Sequence, residues 1–173
     1  MLFNVSGLIQ EGIGAVRQYE VEDVLVSEGR EPERVYGNVE FLRTTGVLVR
    51  AHLKLDESET CSRCAKPLQD ALDLEFEEEF LQTVEPNGRP VSERPDSDAF
   101  TIDDRHQLDL TEAVRQYREA SAQIAPLCRP DCKGLCAECG ADLNVEACGC
   151  EDAVIDVRWA GLASLRTAAE GKE

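Results

Sequence analysis

Val35-Tyr-Gly-Asn-Val-Glu-Phe-Leu-Arg43, then Thr44-Thr45-Gly46, then Val47-Leu-Val-Arg-Ala-His-Leu-Lys-Leu55, is the stretch that decides the fold. Two β-rich runs flank a three-residue turn that ends in glycine, which reads as a hairpin. In the second run Val47, Val49, Ala51, Leu53 and Leu55 alternate with Arg50, His52 and Lys54. A strand points successive side chains to opposite faces, so one face packs in a core and the other is wet and basic.

Working outward, the pattern stays β-rich on both sides. Val21 to Val26 reads as a short strand, and the polar stretch Ser27 to Arg34 separates it from the hairpin. Downstream, Leu72, Leu74, Phe76 and Phe80 alternate with Asp73, Glu75, Glu77 and Glu79, a strand with an acidic outer face. Both charged faces are first of all the solvated sides that half-buried strands require. Pro86 to Asp98, rich in proline, reads as a surface loop.

A short apolar stretch at Ala99 to Ile102 comes next. Asp109 and Glu112 then have the spacing of a capping box, with Asp in place of the usual Ser or Thr. Leu110, Ala113, Val114, Tyr117, Ser121 and Ile124 fall on one helical face, and Pro126 sets the helix end. Asp156 caps a second, C-terminal helix whose Trp159, Leu162, Ala163 and Leu165 form another apolar face. The expected fold is α+β, a small curved antiparallel sheet or open barrel packed with two helices, plus a cysteine-rich zinc-binding loop. Residues 1–125 would form the β-rich core, with loop 86–98 and helix 109–125. Residues 126–173 would hold the cysteine-rich zinc segment and the C-terminal helix.

Composition narrows the function. The 173 residues carry 18 Lys and Arg against 35 Asp and Glu, a formal charge of −17. Most of such a surface repels a nucleic-acid backbone, and a basic protein partner fits it better. Met1 to Glu20 has no basic leader, and its apolar run is broken at Gly7, Gln10, Glu11 and Gly12, so no secretory signal is expected. No apolar run approaches the ~20 residues of a membrane span. The expectation is a cytoplasmic chain without a membrane partner, in a compartment where thiols stay reduced and cysteine pairs hold metals more often than disulfides.

The chemistry therefore sits in eight cysteines. Cys61-Ser-Arg-Cys64 follows the hairpin, while Cys128, Cys132, Cys136, Cys139, Cys148 and Cys150 crowd one later segment. A two-residue spacing lets a tight turn aim two sulfurs at one ion, and a tetrahedral four-cysteine site needs two such corners. Cys136 and Cys139 with Cys148 and Cys150 supply both within one loop, where Gly140 and Gly149 give the backbone freedom. Cys61 and Cys64 would then join Cys128 and Cys132, clipping the sheet to the helix end. Two structural four-cysteine zinc sites are the preferred reading, and a single zinc with some free thiols is the intermediate one. Four thiolates close the coordination sphere, which points away from catalysis. Of the two histidines, His52 reads as a strand-surface residue rather than a ligand, and neither it nor His106 lies beside the cluster. A thioredoxin-type redox role is disfavoured because Pro67 and an alternating strand, not a helix, follow Cys64. Spacing alone does not separate zinc from an iron–sulfur cluster.

Cys61-Ser-Arg-Cys64-Ala-Lys-Pro67 leading into the strand with Phe76 and Phe80, and Leu108-Asp-Leu-Thr-Glu112 opening a helix, carry a resemblance. Pro126-Leu-Cys-Arg-Pro-Asp-Cys-Lys-Gly-Leu-Cys-Ala-Glu-Cys-Gly-Ala-Asp-Leu-Asn144, Cys148-Gly-Cys150, and Ile155-Asp156 running into Trp159 to Leu165 complete it. Over about residues 20 to 170 the chain resembles the YceD family of large ribosomal RNA subunit accumulation proteins. That resemblance implies a non-enzymatic role in making or protecting the large ribosomal subunit, with no small-molecule substrate. The implied partners are a large-subunit ribosomal protein, precursor 23S ribosomal RNA, or both. Arg43, Arg50, Lys54, Arg63 and Lys66, with His52, are the candidate contacts to RNA or partner. Arg129 and Lys133 add a weaker basic pair offset by Asp131 and Glu138.

Overall fold

A computed structural model describes residues 1–84, 89, 96, 99–150 and 158. The chain divides into two compact units, Met1–Cys61 with Lys66–Cys128, and Ser62–Ala65 with the chain from Arg129 onward. The first unit is a seven-stranded mixed sheet that curls into a half-barrel with two helices. In chain order it comprises β1 (Leu2–Asn4), α1 (Ser6–Gln10), β2 (Val16–Leu25), β3 (Glu33–Arg43), β4 (Val47–Thr60), β5 (Pro67–Gln82), β6 (Thr101–Ile102), β7 (Gln107–Asp109) and α2 (Thr111–Ser121). The strand order is β1-β7-β6-β5-β4-β3-β2.

The hairpin anticipated from sequence is β3–β4, with Val35 opposite Leu55 and Arg43 opposite Val47. Every inward residue of β4 from Val47 to Leu55 is buried, and Arg50, His52 and Lys54 are exposed. Phe41, Phe80, Leu53 and Leu74 fill the same core, where full burial of each side chain contributes ~1.5–3 kcal/mol. Two glycines make the close strand pairing possible. At Gly37 (φ +146°) a Cβ would lie 2.3 Å from the His52 carbonyl oxygen, and at Gly46 one would lie 2.2 Å from that of Phe80.

The structure corrects several expectations. The sheet is mixed rather than antiparallel, because β5 and β6 pair in parallel through Leu81–Thr101 and Gln82–Ile102. The strand expected at Val21 to Val26 runs instead from Val16 to Leu25, paired throughout with β3. Helix α2 ends at Ser121, short of residue 125. Ala122 is extended (ψ 136°) and Ile124 lies wholly exposed, so no apolar burial rewards a further turn. The N-cap is Leu110, without a side-chain cap bond. Asp109 acts one residue earlier, accepting from the Thr111 amide at 2.9 Å, while Glu112 pairs forward with Arg115 and Gln116 instead of reaching back. The second helix observed is α1, which buries Leu8 and Ile9. The expected C-terminal helix lies outside the described residues, as does the 86–98 loop apart from Arg89 and Asp96. No helix among the described residues is long and apolar enough to cross a membrane.

Candidate metal centres and charged surface

The sulfur atoms of all eight cysteines gather into the two groups expected from spacing. Cys61, Cys64, Cys128 and Cys132 form one, and Cys136, Cys139, Cys148 and Cys150 the other, with the Sγ atoms of each group within 4.8 Å of one another. Such convergence is what a tetrahedral ion at ~2.3 Å from each sulfur requires, and four thiolates suit zinc.

The two Cys-x-x-Cys turns are built alike. The Cys61 amide donates to the Lys66 carbonyl at 2.9 Å, and the Cys136 amide to the Ala141 carbonyl at 2.8 Å. Each turn places the residue after its second cysteine in the left-handed region, Ala65 at φ +55° and Gly140 at φ +73°. Of the glycines expected to loosen the loop, Gly140 adopts positive φ and Gly149 does not. Gly134 (φ +79°), which was not among them, does so too, and a Cβ there would also meet the Arg63 carbonyl oxygen at 3.0 Å.

Within the second unit, the Arg63 Nη1 donates to the Cys132 carbonyl at 2.8 Å, and the Leu135 amide donates to the Arg63 carbonyl at 3.1 Å. Asn144 organises the following loop. Its Oδ1 accepts from the Lys133 amide and from Arg129 Nη2, each at 2.8 Å, and its Nδ2 lies 3.5 Å from the Cys132 sulfur. Sequence spacing gave no warning of this residue, although an Asn between two ligand pairs is a recognisable loop organiser.

The groups differ in exposure. Cys61, Cys64 and Cys132 are buried with Cys128 exposed, whereas the second group has two exposed and two half-buried members. In the second group, amides of Cys139 and Glu138 pull the Cys136 thiol down to about 6. Its hydrogen bond with Cys139, with some loss of hydration and the neighbouring Cys136 thiol, pushes the exposed Cys150 up to about 12. Four crowded thiols cannot all ionise without a cation among them, so binding an ion there must expel protons.

The sequence-predicted cations lie among carboxylates. Arg50 donates to Glu77 at 2.7 Å and to Glu40 at 3.3 Å, Lys54 lies 3.2 Å from Asp73, and His52 Nδ1 lies 3.4 Å from Glu75. These are register neighbours, so the stripe on β4 meets acid all along its β5 side, whereas on the β3 side Arg50 faces Glu40 but His52 faces Asn38 and Lys54 faces Tyr36. Arg43 Nη1 is engaged by the turn carbonyls of Thr44, Thr45 and Gly46 at 2.7–2.9 Å. Lys66 supplies its carbonyl to the first Cys-x-x-Cys turn.

One charged cluster was not anticipated. Arg118, 1% exposed, donates from Nε and Nη2 to both oxygens of Glu33 at 3.0 and 2.6 Å. Its Nη2 also lies 3.1 Å from Glu57 and 3.3 Å from Glu59. The signal was present in sequence, since Glu57 and Glu59 continue the inward period of β4 beyond Leu55, and Arg118 follows Val114 by four residues.

A half-barrel sheet, and thiols gathered in two fours that could each hold a metal ion, define the class of protein. A family profile described as "Large ribosomal RNA subunit accumulation protein YceD" matches residues 49–166. The chain belongs to the YceD family. An uncharacterized protein of Mycobacterium tuberculosis is 29% identical over 120 residues, 69% of this chain and 56% of that protein. The chloroplastic large ribosomal RNA subunit accumulation protein YCED homolog 1 of Arabidopsis thaliana is 31% identical over 67 residues, 39% of this chain and 21% of that protein. Its Zea mays counterpart is 28% identical over 115 residues, 53% of this chain and 39% of that protein. The chain spans about half the length of the mycobacterial relatives it matches. No solved structure matches it.

Proposed function

We propose that the protein is a non-enzymatic, cytoplasmic factor of ribosome biogenesis that supports accumulation of large-subunit ribosomal RNA by engaging a basic ribosomal protein. Family membership, and the printed names of the plant relatives, support the ribosomal part. The partner class rests on one observation: on the basic stripe Arg50 is matched by Glu40 and Glu77 and Lys54 by Asp73, while His52 lies beside Glu75. Those cations are already neutralised, and the surrounding charge of −17 repels phosphates while attracting lysine-rich protein.

Zinc at both thiol groups has a structural role in this reading, with Cys61, Cys64, Cys128 and Cys132 holding one ion and Cys136, Cys139, Cys148 and Cys150 the other. Four sulfurs leave no open position for water or a small-molecule substrate. Affinity purification from lysate, with and without nuclease, tests the proposal. Large-subunit ribosomal protein should remain bound after nuclease treatment. Recovery of precursor ribosomal RNA without ribosomal protein would overturn the partner class, and would return Arg43, Arg50, Lys54, Arg63 and Lys66 to the role of RNA contacts.

A further inference from the structure

Among the described residues the longest strand, β5, lacks a strand partner along most of one side. β5 pairs with β4 over its whole length, Pro67–Gln82, but on its other side only Leu81 and Gln82 pair, with β6. From Leu68 to Phe80 no backbone hydrogen bond is made on that side among the described residues. An open edge of this length is a template for another strand.

We propose that this edge of β5 receives an extended, lysine- or arginine-rich segment of a partner protein as an added strand. This rests on the protein-partner reading above and names where that partner docks.

Charge selects the occupant. Between Leu68 and Phe80 the chain carries Asp70, Asp73, Glu75, Glu77, Glu78 and Glu79 and no lysine or arginine. A second copy laid along this edge would set acid against acid, which is destabilising for directly opposed strands. A nucleic-acid backbone meets the same repulsion. A basic strand extends the existing pattern, in which the cations of β4 face the carboxylates of β5 at Arg50–Glu77 and Lys54–Asp73. The new strand would place cations on the far side of those carboxylates. Main-chain bonds would hold it, and alternate side chains would set its specificity.

The test uses the full-length, zinc-loaded chain and a peptide of alternating lysine and threonine, about twelve residues long, enough at ~3.3 Å per residue to follow the edge. The peptide should slow amide exchange between Leu68 and Phe80. N-methylation of every second peptide residue, which keeps the charge and removes backbone donors, should weaken binding at least tenfold. The Glu75→Lys/Glu77→Lys variant should weaken it by about tenfold, from two charge pairs reversed. Equal binding of the N-methylated peptide to the unaltered chain would overturn strand addition even if that variant fails to fold. Protection of the same amides by single-stranded RNA but not by the peptide would overturn the partner class. Ribosomal protein captured equally by parent and variant sinks the edge alone, whereas peptide docking at the edge without any ribosomal capture sinks the ribosomal reading alone.

Discussion

Replacing Arg118 by methionine should be the most damaging single change in the half-barrel that touches neither a cysteine nor a glycine. The guanidinium forms a two-point pair with Glu33, which is only 5% exposed, and reaches Glu57 and Glu59 as well. Methionine fills similar space but leaves Glu33 as a buried carboxylate without its principal counter-charge. Breaking one side of a buried pair costs ~3–5 kcal/mol, far more than the ~0–1 kcal/mol of a surface pair. At ~2–4 °C per kcal/mol for a chain of this size, melting should fall by about 6–20 °C. The assay is thermal unfolding followed by circular dichroism in excess zinc, so that metal loss does not mix with unfolding of the sheet. Arg118→Met/Glu33→Gln should recover part of the loss, since the buried charge goes with its partner. A single-variant loss below ~1 kcal/mol, or a double variant worse than the sum of the two singles, would refute the reasoning.

Neighbouring carboxylates of that cluster should respond to pH with opposite signs. Burial raises the Glu57 carboxyl above its usual range, so its charge opposes folding at neutral pH; Glu57→Gln should raise the melting temperature there, with the gain vanishing as pH falls through the raised value. Glu59 is held low, first by its hydrogen bond from Arg30, so Glu59→Gln should lower melting at neutral pH and become harmless in acid. Metal analysis should find two zinc ions per chain, and a chelator with a colorimetric zinc indicator should remove them in two phases. The exposed Cys136 group should empty first, and a single phase would contradict the difference in burial. Ala65→Gly should raise the stability of the zinc-loaded protein and Gly140→Ala lower it, each by up to ~1 kcal/mol, because both positions lie at positive φ.

The parts of the fold legible in sequence were those long enough to show a period. Val47 to Leu55 and Leu72 to Phe80 each span several alternations, and burial follows them residue by residue. β1, β6 and β7 have two or three residues each, too few to display any period, and tertiary pairing alone makes them strands. The parallel β5–β6 contact was invisible for the same reason. The eight thiols sorted correctly into fours because the spacings supply turn corners, yet the similarity of the two turns depends on backbone bonds that sequence does not display. Arg118 was missed because an arginine on a helix reads as solvated, and only the three carboxylates opposite it make burial tolerable.

Charge in this protein is arranged in columns, and that arrangement bears on function more directly than the net value does. Across the outer sheet face, the register sets Glu40, Arg50 and Glu77 side by side, with Lys54 next to Asp73 further along the same face. Reading the β4 column alone suggests a site for phosphates, whereas reading its neighbours shows each cation already engaged. For RNA to use that stripe it would have to displace intramolecular carboxylates while approaching an acidic surface, two costs with the same sign. A basic polypeptide faces neither cost, because it adds cations where β5 ends the alternation in acid. The register of β4 against β5 is thus the physical support for the proposed protein partner, an argument independent of any relative's name.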